Sequence, residues 1–118
     1  MNPSKHITIS IARNFSKYPA GRYRTDGKAS GEAFRDDHLV PALRKGDIVS
    51  VVFDDVAGCG SSFLDEAFGG LVRSAGMDKA FLDAHLKLVT NDSGLDDFVR
   101  LTQRYIEQAA EETAVGVA

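Results

Sequence analysis

The chain has one cysteine, three prolines and no tryptophan in 118 residues. A single thiol, Cys59, cannot close an internal disulfide, which fits a reducing compartment. No apolar run approaches the roughly 20 residues a membrane span needs. Met1 to His6 is polar and holds no apolar signal core, so a cytoplasmic location is the expectation. There are no internal repeats, no linker and no low-complexity tract. Gly58-Cys59-Gly60 is not followed by the third glycine of a phosphate loop, because Phe63 stands in its place, and no Gly-Lys-Ser/Thr ending occurs. No Cys-x5-Arg or Gly-x-Ser-x-Gly pattern is present. His6, His38 and His85 fall on three separate elements. These absences argue against an enzyme built on Cys59 or Ser61, and against a resident metal or cofactor. No RNA- or DNA-binding motif is present, so nucleic acid is not an expected partner.

What remains is an ordinary globular composition, 43% hydrophobic, with a net charge of −3. At this length the chain reads as a single domain over 1–118, fraying at 1–5 and 113–118. The charge is unevenly spread: residues 1–35 carry seven basic and two acidic side chains, and the remainder is acidic. A basic third on an acidic body could favour an anionic partner, but intramolecular complementarity explains it as well.

The organising stretch is 47–76. Ile48-Val49-Ser50-Val51-Val52-Phe53 is an apolar, β-branched run that predicts a strand buried on both faces. Asp54-Asp55 and a flexible Val56–Gly60 turn follow. Leu64, Ala67, Phe68, Leu71, Val72 and Ala75 recur at helical spacing, and Gly76 stops that helix. Ser61 and Ser62 therefore stand at a helix start beyond the carboxyl end of a core strand, where ligands bind in open α/β sheets.

Elsewhere, Ile7, Ile9 and Ile11 alternate with polar residues and predict a first strand. Arg22–Thr25 reads as a short edge strand between turn signals. Ser30 is an N-cap for a helix that Pro41 kinks or splits before Gly46. Met77–Ala84 predicts a short helix, and Leu86–Val89 a third good strand. Ser93 caps a last helix with Leu95, Phe98, Val99, Thr102, Tyr105, Ile106 and Ala109 inward. Gly69-Gly70 inside a helix should cost roughly 1 kcal/mol each relative to alanine, so close packing is expected there. The order predicts an α/β fold: a short mixed sheet with helices packed on it.

The run Ser61-Ser62-Phe63-Leu64-Asp65-Glu66-Ala67-Phe68-Gly69-Gly70-Leu71 resembles the signature of the STAS-like family of unknown function. The upstream Ser30-Gly31-Glu32-Ala33-Phe34-Arg35 and the Gly21-Arg22 turn agree with it. The resemblance implies a fold related to STAS domains, which include bacterial anti-sigma factor antagonists. In those proteins the first hydroxyl of a strand-to-helix loop accepts phosphate from a partner serine kinase, which switches binding off. Ser61 falls at that hydroxyl and Ser62 at its neighbour; Gly60 stands where the antagonists carry Asp, and Phe63 where they carry Gly. The implied activity is a non-enzymatic regulatory module whose partner is a protein, a serine kinase or ATPase of the partner-switching kind.

The candidate site residues are therefore Ser61 and Ser62 with Asp54, Asp55, Asp65 and Glu66 around them. Plain helix capping is the competing role for the serines. For Asp54 and Asp55 the favoured reading is a solvated strand end, one carboxylate bonding loop amides. An alternative function is a nucleotide or anion sensor using the 54–62 loop with Arg22, Arg24 and Arg35. Cys59 reads as a small buried thiol.

Overall fold

The computed structural model describes residues 5–116. Three strands, β1 (His6–Ser10), β2 (Ile48–Val52) and β3 (Leu86–Val89), form one sheet in the order β1-β2-β3. Five helices accompany it among the described residues: α1 (Ile11–Asn14), α2 (31–44), α3 (61–73), α4 (Lys79–His85) and α5 (Asp96–Gly116). The α/β class is as expected, and the sheet is wholly parallel rather than mixed.

The register aligns Ile7 with Val49 and Leu86, and Ile9 with Val51 and Leu88. These residues make the inner face. The neighbouring row, Thr8, Ser50 and Lys87, points the other way. β2 is thus not buried on both faces: Val49 and Val51 are fully buried, while Ile48, Ser50 and Val52 are half-buried. The topology explains this. Both crossovers step in the same direction, and right-handed crossovers that do so lay their helices on one face.

On that face α2 packs against β2 and α3, and α5 packs along α3. Phe34, Phe53, Phe63 and Phe68 are fully buried in the layer between. Phe15, turned back from α1, joins them with its ring 5.1 Å from Phe34 and 6.0 Å from Phe63. Each such side chain contributes about 1.5–3 kcal/mol on burial, so this stack is a main source of stability.

Pro41 does disturb its helix. α2 contains a π-helical turn, Arg35–Leu39, in which the Val40 N–H reaches back five residues to Arg35 O. The widened turn lies just where the proline ring would strike the preceding backbone. α3 has a π turn of its own, Asp65–Gly69. It ends near Gly76, whose φ of +74° suits glycine.

The edge strand expected over Arg22–Thr25 is absent. The Asp26 carboxylate accepts from the N–H groups of Arg22 (3.1 Å) and Tyr23 (2.9 Å), curling Arg24–Asp26 into a 3-10 turn. α4 starts two residues later than expected, where the Asp78 carboxylate accepts from Phe81 N–H at 2.8 Å. Asp92, not Ser93, caps the short 3-10 turn that leads into α5. α5 runs to Gly116, past Thr113 where the composition suggested fraying; Met1–Ser4 and the last two residues lie outside the described residues.

Candidate functional site

The region singled out by sequence lies at the carboxyl ends of the strands. Asp54 follows β2 and accepts hydrogen bonds from the Thr90 hydroxyl and the Asn91 N–H (2.9 Å). It ties the end of β2 to the loop after β3, as a strand-end carboxylate was expected to do. The Thr90 hydroxyl, then the Asn91 N–H, hold its carboxyl below the usual carboxylate range. Asp55 adopts a left-handed φ of +69° and is exposed. It approaches Arg13 only at 3.9 Å, with both side chains largely in water, an ion pair of little weight.

The loop beyond is fixed by the chain before α2. Ala57 N–H donates to Lys17 O at 2.8 Å, and Gly60 N–H to Pro19 O at 3.4 Å. Cys59 is packed against the core, and burial pushes its thiol up to about 12. A thiolate is the nucleophilic form, so burial works against nucleophilic chemistry at this cysteine.

Ser61 and Ser62 are the first two residues of α3, and both are exposed. Neither hydroxyl caps the helix. Gly60 holds the N-cap position in extended geometry and has no side chain to offer. The first internal bond runs from Leu64 N–H to Gly60 O at 3.1 Å. The N–H groups of Ser61, Ser62 and Phe63 precede that first bond and so have no partner within the helix.

Asp65 and Glu66 do not join the serines in an open site. They are the acidic centre of the α2–α3 contact. Arg35 is buried and donates from Nη1 to Glu66 Oε2 at 2.6 Å and to Glu66 O at 2.9 Å. Arg22 donates to Asp65 (2.9 Å) and Glu66 (3.4 Å). Arg73 donates from Nη1 to Asp65 Oδ1 (3.1 Å) and from Nη2 to Asp65 O (3.0 Å). Two arginines thus supply donors to main-chain carbonyls of the α3 π turn. Burial works against the Arg35 charge, but its bonds to Glu66 and Asp36 outweigh it and leave the guanidinium above its usual value. Arg22 is likewise raised, chiefly by Asp65.

Glycines make the contact close enough. A Cβ on Gly31 would lie 2.6 Å from Phe63 O and 2.9 Å from Ala67 N, inside the backbone of α3. A Cβ on Gly70 would collide with the Arg35 guanidinium, and one on Gly69 with the side chains of Asp65 and Arg73. The close packing expected at Gly69-Gly70 is therefore against arginine.

The three arginines proposed for an anion pocket do not converge on open space. Arg24 pairs with Asp37 at 2.8 Å, and Arg22 and Arg35 meet on Glu66. Three of the seven basic residues of the first third, Arg22, Arg24 and Arg35, are thus matched by carboxylates within the chain. The histidines stay apart: His6 beside Ser50, His38 against Phe15 and Phe34, His85 stacked on Phe81. Among the described residues no three metal-binding side chains come together. No helix is long and apolar enough to cross a membrane, again among the described residues. Sequence reasoning missed Arg73, which lies eight residues beyond Asp65, and the Thr90-Asn91 partners of Asp54, which are remote in sequence.

A parallel sheet covered on one face, with two crossing helices upon it, makes an α/β domain consistent with a STAS-like fold. The chain belongs to the family described as a STAS-like domain of unknown function (DUF4325), whose family model matches residues 30–95. The match begins at the cap of α2 and ends just before α5; Gly21-Arg22 lies ahead of it. No curated protein and no solved structure matches the chain.

Proposed function

We propose that this chain is a regulatory protein-binding module, recognised at the 54–62 loop and the start of α3, and switched by a partner serine kinase acting on Ser61 or Ser62. The observation that carries this reading is the idleness of the two hydroxyls. They are exposed, they cap nothing, and they stand on a loop whose backbone is tied down. Residues that do no work for the fold are free to work for a partner. A phosphoryl group there would bring about −1.5 to −2 charges to the positive end of a helix, with free N–H groups to receive it.

Two other readings have less support. The anion sensor needs Arg22, Arg24 and Arg35, and each is already engaged by a carboxylate. An enzyme using Cys59 needs a thiolate, which burial disfavours.

The test uses Ser61→Glu and Ser62→Glu. Exposed substitutions of this kind stay within about 0.5 kcal/mol of the parent in stability. Both variants should therefore melt like wild type, and at least one should change affinity for the cognate partner about tenfold or more. If both bind that partner as wild type does, the switch is refuted.

A further inference from the structure

Tyr18 is the most exposed large apolar side chain among the described residues, at 72%. Its backbone, by contrast, is held firmly. The Tyr18 N–H donates to Ser16 Oγ at 3.0 Å. Lys17 O and Pro19 O, on either side, accept from Ala57 and Gly60 of the loop that ends at Ser61. Phe15 is drawn into the aromatic stack and Pro19 is buried. The segment is anchored before and after Tyr18, the ring is left exposed, and its backbone neighbours are bonded to the loop that runs into Ser61.

We infer that Tyr18 is the anchor of the partner-binding face, and that it enters an apolar socket on a protein whose rim carries carboxylates. The inference rests on the protein-binding reading above and names the surface that reading uses. A tyrosine on a rigid loop has two side-chain rotors to immobilise, and it presents a large area with a hydroxyl at its tip. Such residues dominate interface energetics. The acidic rim follows from the neighbours. Lys17 is exposed and pairs with no carboxylate among the described residues, and Arg13 reaches Asp55 only at 3.9 Å. A protein is favoured over nucleic acid because Asp54 and Asp55 flank the same loop and the chain is net acidic. Phosphate on Ser61 or Ser62 would then face the acidic rim and loosen the complex.

The experiment places a photo-reactive benzoylphenylalanine at position 18 of the full chain in its native host, with Lys87 and Gln103 as control positions on other surfaces. The cross-linked partner is identified, and its affinity is measured for purified wild type, Tyr18→Ala, Tyr18→Phe, Lys17→Glu, Ser61→Glu and Ser62→Glu. The expected result is a protein captured at position 18 and not at 87 or 103. Tyr18→Ala should weaken it by about 30-fold, Tyr18→Phe much less, and Lys17→Glu measurably, with unchanged melting. Capture of nucleic acid, capture at 87 or 103 instead, or no capture at 18 overturns the inference. So does a Tyr18→Ala affinity within twofold of wild type. If Tyr18→Ala is silent while Ser61→Glu or Ser62→Glu abolishes binding, the anchor falls and the module stands; if all three are silent, both fall.

Discussion

Replacing Arg35 by methionine removes one side of a buried ion pair and leaves the other. The Arg35 and Glu66 side chains are only 7% and 9% exposed, and their charged atoms lie 2.6 Å apart. Stranding a buried charge in this way costs about 3–5 kcal/mol. Glu66 retains Arg22 at 3.4 Å, a partner that is one-third exposed, so the lower end applies: about 3 kcal/mol. Small domains have about 5–15 kcal/mol in total. The variant should thus lose about a fifth to three fifths of its stability, and its midpoint should fall by about 12 °C. Glu66→Met strands Arg35, but Asp36 still accepts from its Nε at 2.9 Å, so that loss should be about 2 kcal/mol. The double variant buries two apolar side chains where two charges were, and should recover to within about 1 kcal/mol of wild type. Urea denaturation followed by circular dichroism gives all four corners of the cycle. A coupling of about 3 kcal/mol or more supports the reasoning. Two single variants as stable as wild type, or a double variant carrying the sum of both losses, would refute it.

Three further outcomes follow from the same geometry. Gly31→Ala forces a Cβ into the α3 backbone and should cost about 2 kcal/mol net of its better helix propensity, whereas Gly58→Ala, with open space around it, should be nearly neutral; equal denaturation midpoints for the two would contradict the packing. Asp54 titrates below the ordinary carboxyl value, so its contribution is complete above about pH 4 and is lost as the pH falls through the depressed value. Melting curves between pH 3 and 6 should therefore show a shallower acid decline for Asp54→Asn than for wild type. Cys59 should react with a disulfide reagent at pH 7.5 far more slowly in the native state than after denaturation; equal rates would restore it as a nucleophile.

The three strands were legible because Ile7–Ile11, Ile48–Phe53 and Leu86–Val89 are β-branched or leucine-rich runs with turn residues at their ends. The helix from Ser61 was legible from its apolar spacing, and the disturbance in α2 from Pro41. The open outer face of the sheet was not, since Ile48 and Val52 look like core residues until the topology shows no helix layer above them. The lost edge strand turns on Asp26, whose carboxylate captured two amides; Arg-Tyr-Arg-Thr alone looks extended. The position of Ser61 and Ser62 was readable, but their freedom from capping was not, because it depends on Gly60 taking the cap. Asp65 and Glu66 were read as part of the serine site since they are close in sequence. Their true partners, Arg22, Arg35 and Arg73, are brought in by the crossing of α2 and α3.

The π turn in α3 has a geometrical corollary. A π turn is an ordinary helix that has absorbed one residue more than its pitch accommodates. Excising a single residue between Asp65 and Gly69 would let the coil close with regular pitch. The halves on either side would keep nearly their present mutual orientation, because a π turn spreads its extra residue over about the rotation that one residue fewer covers in an α-helix. The serines would stay where they are, and what would shift is the placement of the Asp65 and Glu66 carbonyls that Arg73 and Arg35 reach, so the surplus residue serves the seam between the helices rather than the tip of α3.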